Sequence, residues 1–393
     1  VYYAISMFVL SGAAFVLKWP VLAYTGLLTM AYGDGLAAII GGRWGKAKPF
    51  AFAPQRSLAG SLTVAVAAFV VTALSLLILE DGAPSAVLTV LLIALLNAVL
   101  SAFIELTGKR GCDNVSLPVG SGLFAVLAWR FGSPGLLLYL LLAVLILALA
   151  FKAHAITPDG VVAALLTALT LYTLGDVWIA TALLLFFILG SGVSKLKNNS
   201  KRLAEMIQEG DGPRHWKQGL CNSLPAVALV WMHYFLPGQR FLLLLALGVF
   251  SAAAADTFAS ELGMLSRGRV FNILTGKTVP NGLSGGVSVP GLFAGLLGSS
   301  LLSLLAWPGF GLPGVLFLTG MGLLGSLLDS ILGAALQRKY RNTDGQLQDK
   351  AAAPADRPAA GFPFISNNTV NLISLSLLVL CGNIFCYLIA IPY

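Results

Sequence analysis

The sequence predicts an all-α protein with about thirteen membrane-spanning helices. Of its 393 residues, 58% are hydrophobic and only 10% are charged, and the mean hydropathy is +0.88. In soluble domains roughly a quarter of the residues are charged. The apolar residues are gathered in runs of about the twenty residues that a helix needs to cross a bilayer. The two-residue alternation of a membrane barrel does not recur, so the composition excludes a soluble protein and favours a helical membrane protein.

The apolar runs are interpreted as helices in chain order. They lie at 2–17, 20–42, 59–79, 84–106, 117–131, 135–151, 158–174, 176–192, 219–236, 239–258, 288–306, 312–336 and 369–391. The run at 117–131 is shorter than a usual span, so we expect it to be tilted, broken or half-membrane. The chain enters its first apolar run directly at Val1, so we expect a leading segment upstream.

The basic residues indicate the orientation. All Lys and Arg residues except Lys18, Arg130 and Arg240 fall in alternate loops of this topology, and the positive-inside rule places such loops in the cytoplasm. We therefore expect an integral protein of a bacterial inner membrane, with its basic loops in the cytoplasm. The net charge of +8 follows from this topology, so no nucleic-acid partner is expected.

Two cytoplasmic loops differ from simple connectors. Residues 193–218 contain a short amphipathic helix that is predicted to end at Gly210, because glycine commonly follows the last turn of a helix. Residues 338–361 are polar and rich in Ala and Pro, a composition that predicts a mobile segment.

Residues 252–291 combine two carboxylates with a basic, glycine-rich loop. Burying one ionisable group at membrane depth costs roughly 2.5–3.5 kcal/mol on insertion scales, so Asp256 and Glu261 together indicate a functional site. On a regular helix their side chains would point about 140° apart. They converge only if the helix ends or distorts between them, and Gly263 indicates such an end.

The loop after these carboxylates contains the groups that bind phosphate. Glycines allow the backbone to approach a phosphate, hydroxyls and an amide donate hydrogen bonds, cations neutralise charge, and the next helix start adds its dipole. The predicted nucleotide and phosphate ligands are Lys277, Asn281, Gly282, Ser284, Gly285, Gly286, Ser288 and Arg214. The sequence contains no GxxxxGK[ST] loop and no kinase signature set, which excludes the soluble phosphotransferase folds.

A divalent cation is the usual companion of carboxylates beside a phosphate loop. We expect Mg²⁺, with Asp256, Glu261, Asn367, Asn368 and Asn371 as ligands. Asp329, near the end of the next-to-last predicted helix, would orient a metal-bound water or the acceptor. The predicted catalytic set is therefore Asp256, Glu261 and Asp329.

An internal repeat is also indicated. The stretch 31–64 aligns with 252–291, so that Asp34 matches Asp256. An even number of predicted spans separates the copies, so the repeats would run parallel, unlike the inverted repeats of many transporters. The first-repeat equivalents of the site are Asp34, Gly41, Lys46, Arg56, Ser57, Gly60, Ser61, Glu105, Asp113 and Asn114, in which Ser57–Gly60–Ser61 corresponds to 284–288.

These motifs resemble those of known membrane kinases. The second half, roughly 150–393, resembles the family that contains plant phytyl-phosphate kinase and the transmembrane protein 19 proteins. The motifs are ADTFASELG (255–263), NGLSGGVSVPG (281–291), GSLLDSILGAALQ (325–337), NNTVN (367–371) and GPRHWKQGLCNS (212–223). The first part, roughly 20–150, is similar to the dolichol kinase and phytol kinase family through GDGLAAIIGGRWGK (33–46), QRSLAGS (55–61) and DNVSLP (113–118). We therefore expect two membrane regions, 1–150 and 151–393.

The resemblance implies phosphorylation of an isoprenoid alcohol, or of its monophosphate, by CTP or another nucleotide with Mg²⁺. It adds Asn222 to the nucleotide and phosphate ligands. In the first family the loop usually reads Lys-Ser-x-Glu-Gly-Ser, whereas this chain has Arg56 for the lysine and Ala59 for the acidic residue. The first region is therefore expected to be degenerate, and the better-preserved site is expected in the second half.

Two other functions are compatible with the residues alone. One is a carrier or flippase for a lipid phosphate or another anion, because carboxylates inside membranes also mark ion pathways. The other is a CTP-dependent lipid cytidylyltransferase, which needs most of the same groups. The sequence determines neither the acceptor lipid, nor the nucleotide, nor the oligomeric state.

Overall fold

The computed structural model describes residues 2–80, 87–108, 111–209, 212–342, 345–351 and 357–389. The chain divides into unit 1, which extends to Leu169, and unit 2, which begins at Thr170. Each predicted apolar run corresponds to a helix whose ends differ from the prediction by a few residues. All-α architecture is expected for apolar runs in lipid, because a helix satisfies every backbone hydrogen bond within its own segment.

Unit 1 consists of helices. They are α1 (Tyr2–Leu17), α2 (Pro20–Leu28), a π-helix (Thr29–Asp34), α3 (Gly35–Trp44), α4 (Leu58–Leu79), α5 (Val87–Thr107), α6 (Asp113–Phe131), α7 (Pro134–Lys152) and most of α8 (Pro158–Thr170). Helix α6 begins before the predicted run at 117–131 and takes in Asp113 and Asn114, so it has 19 residues.

Unit 2 continues with a second π-helix and seven further α-helices among the described residues. They are Leu171–Gly175, α9 (Val177–Ser194), α10 (Asn199–Glu205), α11 (Trp216–Phe235), α12 (Phe241–Gly263), α13 (Val289–Ser303), a 3₁₀ turn (Leu304–Ala306), α14 (Trp307–Ala335) and α15 (Asn367–Ile389). Two short antiparallel strand pairs lie in its loops: β1 (Phe271–Asn272) with β2 (Gly286–Val287), and β3 (Tyr340–Arg341) with β4 (Leu347–Gln348).

Within the described residues, eight helical segments are long and apolar enough to cross a membrane. They are Leu58–Leu79, Val87–Thr107, Pro134–Lys152, Pro158–Gly175, Val177–Ser194, Phe241–Gly263, Val289–Ala335 and Asn367–Tyr387. Large apolar side chains project outward from several helices; Phe8 and Phe15, for example, are 82% and 86% exposed. Such surfaces are stable in lipid rather than in water.

Helix α12 lies at the centre of unit 2, where it packs against α9, α11, α13, α14 and α15. Small residues allow the close approach of α13: a Cβ atom added at Gly298 would lie 2.7 Å from the Ala254 carbonyl oxygen. Close packing through small residues is typical of membrane helices. It brings the C-terminal part of α12, which contains Asp256 and Glu261, inside the bundle.

Three features of unit 2 differ from the sequence predictions. Helix α12 continues past Asp256 and Glu261 to Gly263, so it does not end between the two carboxylates. The short helix α10 ends at Glu205, before Gly210, which lies outside the described residues. The described part of 338–361 forms the β3–β4 pair and carries buried side chains, because polar groups there have protein partners.

Candidate functional site

Asp256 and Asp329 form the acidic centre of unit 2. Asp256 lies on α12 and Asp329 on α14, and the carboxylates of Asp329 and Glu261 are the charged neighbours of Asp256. Both aspartates are partly exposed, so a ligand can reach them. Among the described residues no salt bridge reaches either aspartate. The pair therefore has no ion-pair partner within the described part of the chain.

The first turns of α15 supply polar partners to Asp329. Ser374 Oγ donates to Asp329 Oδ2 at 3.0 Å. The Asn371 amide lies 3.1 Å from the same oxygen and 3.0 Å from the Asn367 carbonyl, and its other end is 3.0 Å from Asn222 Oδ1. The hydrogen-bond network assigns the nitrogen to the Asp329 side. Asn222, which was predicted to bind phosphate, and Asn371, which was predicted to bind the metal, thus both lie at the acidic centre.

Glu261 points to a different part of unit 2, as expected for two residues about 140° apart on one regular helix. Its Oε2 is 2.6 Å from Lys201 Nζ, and its Oε1 accepts a hydrogen bond of 2.6 Å from Ser194 Oγ. Both carboxylate oxygens therefore have protein donors.

Arg214 is the second cation near Glu261. Its guanidinium lies 5.1 Å and 5.6 Å from the ring centroids of Phe186 and Phe187, and a Cβ atom at Gly190 would be 2.4 Å from Arg214 Nη2. Burial lowers the pKa of Arg214 to about 10, against the opposing effect of the Glu261 carboxylate. Arg214 therefore remains positively charged at neutral pH and can attract an anion.

The predicted phosphate loop is held by contacts with neighbouring segments. Asn281 Nδ2 donates to Ser200 Oγ at 3.2 Å and to the Met264 carbonyl at 3.1 Å. The Ser284 backbone N–H and Oγ donate to the two carboxylate oxygens of Asp349, at 2.8 Å and 2.9 Å. Both Ser284 donors therefore bind a carboxylate of the protein itself.

Glycine is required at two positions of this loop. Gly282 and Gly285 have φ angles of +91° and +80°. Residues other than glycine rarely adopt this left-handed backbone conformation. A Cβ atom at Gly282 would lie 2.5 Å from the Ala204 carbonyl oxygen, and one at Gly285 would lie 2.4 Å from Ala334 Cβ. Gly286 is similarly close to Val270. These glycines let the loop pack closely on α10 and α14.

We expect Gly285→Ala to lower the free energy of unfolding by about 3 kcal/mol, because it combines a left-handed backbone with a clash at Ala334. The measurement is thermal unfolding in detergent. Gly192→Ala is the control: Gly192 is helical with no atom near the added Cβ, so no loss is expected there. Equal stability of Gly285→Ala and the wild type would contradict this interpretation of the loop.

Within the described residues, three predicted ligands make no side-chain hydrogen bond or ion pair with the acidic centre. Lys277 is exposed in the turn between β1 and β2. Asn367 lies at the start of α15, where its backbone N–H donates to Glu209 at 3.2 Å, and Asn368 follows it. Asn367 reaches the acidic centre through its carbonyl oxygen, next to Asn371.

Ser288 begins α13 with a specific arrangement. Its Oγ accepts a hydrogen bond of 3.2 Å from the Gly291 backbone N–H. A Cβ atom at Gly263 would lie 3.5 Å from this hydroxyl, and one at Gly291 would lie 2.9 Å from the Ala259 carbonyl. Ser288 is thus a helix cap wedged against the end of α12.

Unit 1 contains the same arrangement at the start of α4. Ser57 Oγ accepts from the Gly60 backbone N–H at 3.2 Å. A Cβ atom at Gly41 would lie 2.9 Å from this hydroxyl, and one at Gly60 would lie 3.5 Å from the Ala37 carbonyl. The geometry pairs Ser57 with Ser288 rather than with the predicted partner Ser284, and it pairs Gly60 with Gly291.

Unit 1 also gathers its predicted acidic residues, but around an arginine. Arg56 binds Glu105 at 2.7 Å and Asp113 at 2.6 Å. Ser61 Oγ donates to Glu105 at 3.2 Å, and Asp34 is a charged neighbour of Asp113 and Arg56. The guanidinium therefore neutralises acidic groups that would otherwise repel one another.

Two other residues of the first set lie at the edge of this cluster. Lys46 is exposed after α3. Asn114, in the first turn of α6, donates to the Gly111 carbonyl at 3.2 Å and accepts from Ser6 at 2.6 Å.

We expect Arg56→Ala to lower the free energy of unfolding by about 3 kcal/mol. Glu105 and Asp113 are only 2% and 8% exposed, and removing one partner leaves buried charge uncompensated. Lys48→Ala, an exposed change in the same loop, should have almost no effect. Similar melting temperatures for both variants would show that the Arg56 pairs contribute little.

Sequence reasoning missed Lys201, Ser194, Asp349 and Ser374. Ser374 could have been found, because it continues the helical spacing of Asn367 and Asn371. Lys201 and Asp349 lie in polar loops where charged residues are common, so no pattern distinguishes them. Their low exposures, 0% for the Lys201 side chain and 2% for Asp349, are properties of the folded protein alone.

The donors around Asp256 and Asp329 suit a magnesium ion. They are the carboxylate oxygens of the two aspartates and the hydroxyl oxygen of Ser374, and Mg²⁺ is typically held by one or two carboxylates while phosphates and waters complete its shell. Within the part of the chain that the structure describes, no group of three or more His, Cys, Asp or Glu side chains forms a metal cluster. The set therefore fits an ion shared with a phosphate better than an all-protein cage.

The fold and the site define an integral-membrane protein with a carboxylate pair inside a helical bundle. The chain belongs to the integral membrane protein family DUF92, whose profile matches residues 141–379. No solved structure matches the chain.

Named relatives agree with this family. The chain is 39% identical over 124 residues to phytol kinase of Synechocystis sp., which covers 32% of this chain and 52% of that protein. It is 30% identical over 255 residues to Protein PGR of Arabidopsis thaliana, covering 58% and 88%. It is 27% identical over 200 residues to the chloroplastic Protein VTE6 of the same plant, covering 49% and 54%. The match thus spans about half the length of the phytol kinase, and the family resemblance inferred from the motifs is confirmed.

Proposed function

We propose that this protein is an integral-membrane kinase that phosphorylates an isoprenoid alcohol, or its monophosphate, with CTP or another nucleotide. The observation that carries the proposal is the pairing of Asp256 with Asp329 inside an apolar bundle, with Glu261 as a charged neighbour of both Asp256 and the cation Arg214. The match to a phytol kinase supports the reaction class.

Each group has a role in this proposal. Asp256 and Asp329 would hold Mg²⁺, Asn371 orients the Asp329 carboxylate, and Glu261 anchors the cationic side. A magnesium ion held by these residues would supply positive charge to offset that of the phosphates, as in other phosphoryl transfers. Arg214 attracts the nucleotide phosphates, the 281–288 loop borders them, and the lipid tail lies between helices.

The proposal includes the topology. All thirteen predicted helical runs would cross or enter the membrane in two parallel pseudo-repeats, with the basic loops and the site in the cytoplasm. The recurring Ser–Gly arrangements at Ser57 and Ser288 support the repeat. Cysteine accessibility on intact cells would test the orientation.

The function is tested by incubating purified protein with a panel of isoprenoid alcohols and monophosphates. Each lipid is combined with CTP, ATP, UTP or GTP, with and without Mg²⁺, and the products are identified by mass. A phosphorylated lipid with a nucleoside diphosphate supports the kinase. Release of diphosphate with a CMP-linked lipid would instead establish a cytidylyltransferase, and no product with any pair would refute both.

A second candidate, a carrier or flippase, is favoured by one observation in unit 1. Asn97 Nδ2 donates to Thr72 at 2.8 Å and to Ser121 at 3.1 Å, and all three side chains are fully buried. Asn97 is eight residues before Glu105, which places this neutral polar group about 12 Å along α5 from the charged cluster. Movement of labelled lipid phosphate across vesicles without nucleotide would favour the carrier.

A further inference from the structure

Lys201 is a lysine whose side chain is completely buried. Its Nζ lies 2.6 Å from Glu261 Oε2 and donates to the carbonyls of Val193 at 3.2 Å and Ser194 at 3.1 Å. One ammonium thus binds the last carbonyls of α9 and a carboxylate near the end of α12. Because an ammonium has three protons, these partners use all of its donors, and Lys201 cannot also bind a phosphate directly.

The rest of α10 fixes this lysine in place. Asn198 caps the helix, accepting from the Lys201 backbone N–H at 2.8 Å, and donates to the Leu265 carbonyl at 2.8 Å. Ser200 Oγ donates to the Ser266 carbonyl at 3.0 Å. Helix α10 is therefore bound across the segment that follows α12.

The same helix supports the glycine-rich loop. Ser200 accepts a hydrogen bond of 3.2 Å from Asn281, and the Gly282 backbone packs on the Ala204 carbonyl. Glu261 and the 281–288 loop are thus connected through one short helix. A displacement of α10 would move both sides of the site together.

We propose that Lys201 is a positioning residue of the site in unit 2. It fixes Glu261, and through α10 the 281–288 loop, so that Arg214 and the loop face the Asp256–Asp329 pair in one arrangement. The expected effect of Lys201 on kcat rests on the proposed kinase function, whereas its role in holding Glu261 and the loop does not. Lys277, the exposed lysine that the sequence predicts as a phosphate ligand, makes no such side-chain contact in the part of the chain that the structure describes.

The first test is kinetic and compares Lys201→Met with Lys197→Met. Lys197 lies just before the same helix, but its side chain is exposed and pairs with Glu205 at 3.0 Å. We expect Lys201→Met to lower kcat about 100-fold, the effect of a small misplacement of reacting groups, with the nucleotide KM changed by less than about threefold. Lys197→Met should match the wild type. A raised KM with unchanged kcat would overturn the proposal, because it would make Lys201 a nucleotide ligand.

Two further variants separate positioning from simple stability. In Lys201→Met/Glu261→Gln neither member of the Lys201–Glu261 pair is charged, so the melting temperature should recover while kcat stays low. Recovery of both would mean that the pair is only structural. Should Lys201→Met not fold, Ser194→Ala removes one donor to Glu261 and should lower kcat about tenfold; an unchanged kcat would count against the proposal.

Hydrogen exchange tests the inference without any enzymatic activity. Backbone exchange at 262–266 and 281–286 should be faster in Lys201→Met than in the wild type, and unchanged in Lys197→Met. Unaltered exchange would overturn the positioning role even in an active kinase. Conversely, a wild type that phosphorylates no lipid would refute the proposed function while the exchange result still decides the role of Lys201.

Discussion

Asp256→Asn is expected to abolish lipid phosphorylation and to leave the fold intact. The substitution keeps the shape of the side chain but removes one of the two carboxylates available to a magnesium ion, so we expect a loss of about 10³-fold or more in kcat. The charged neighbours of Asp256 are the carboxylates of Asp329 and Glu261. Removing a like charge relieves repulsion, so the free energy of unfolding should not fall.

The control for this experiment is Asp176→Asn. Asp176 caps α9 by accepting from the Ile179 backbone N–H at 2.8 Å, and asparagine is an equally good cap, so activity and stability should both be kept. Product formation and thermal unfolding are measured for each variant. Full activity of Asp256→Asn would exclude Asp256 from the catalytic centre.

Asp349→Ala should produce the second large effect, a loss of about 3 kcal/mol in the free energy of unfolding together with strongly reduced turnover. Asp349 and its charged neighbour Lys339 are only 2% and 4% exposed. Without the carboxylate, both donors of Ser284 lose their acceptor, and Lys339 loses a compensating charge, in a site that water does not reach freely. The 281–288 loop would then be anchored on one side only.

Arg341→Ala serves as the control for Asp349→Ala. Arg341 is exposed on the same strand pair, and surface changes of this kind usually shift stability by about 0.5 kcal/mol or less. Denaturant unfolding and lipid phosphorylation are measured side by side. If Asp349→Ala behaves like Arg341→Ala, the carboxylate does not hold the loop.

The same residue gives a pH dependence with a definite sign. Burial raises the pKa of Asp349 from 3.8 to about 6, although hydrogen bonds from Ser284 and the charge of Lys339 lower it. The folded protein then binds this proton more tightly than the unfolded chain between these two pH values. The contribution of Asp349 to the free energy of unfolding therefore falls as the pH rises from 3.8 to about 6, and it is constant above that range. Asp349→Asn should remove this dependence, and identical profiles would contradict it.

The helices and most acidic residues of the site could be predicted because both follow from the cost of placing polar groups in lipid. A run of about twenty apolar residues has few alternatives to a helix, and Asp256, Asp329 and Glu105 are conspicuous within such runs. The direction of Glu261 could not be predicted, because it depends on whether α12 ends before or after it. The structure extends α12 to Gly263, which turns Glu261 toward Lys201.

Residues in the polar loops were harder to assign for a different reason. In the segment 338–361 the composition indicates weak burial, but Asp349 and Lys339 are buried by contacts with residues far away in the chain. Such contacts leave no local periodicity, so composition alone misjudges the segment. The same holds for α10, whose amphipathic pattern suggests a surface helix although Lys201 faces inward.

The paired helix starts at Ser57 and Ser288 allow one position to be compared between the units. In unit 1 the residue before the capping serine is Arg56, whose side chain binds Glu105 and Asp113. In unit 2 it is Val287, which belongs to β2 opposite Phe271 and brings no charge. The acidic cluster of unit 1 thus has its counter-ion one residue before the capping serine, whereas the corresponding residue of unit 2 supplies no charge.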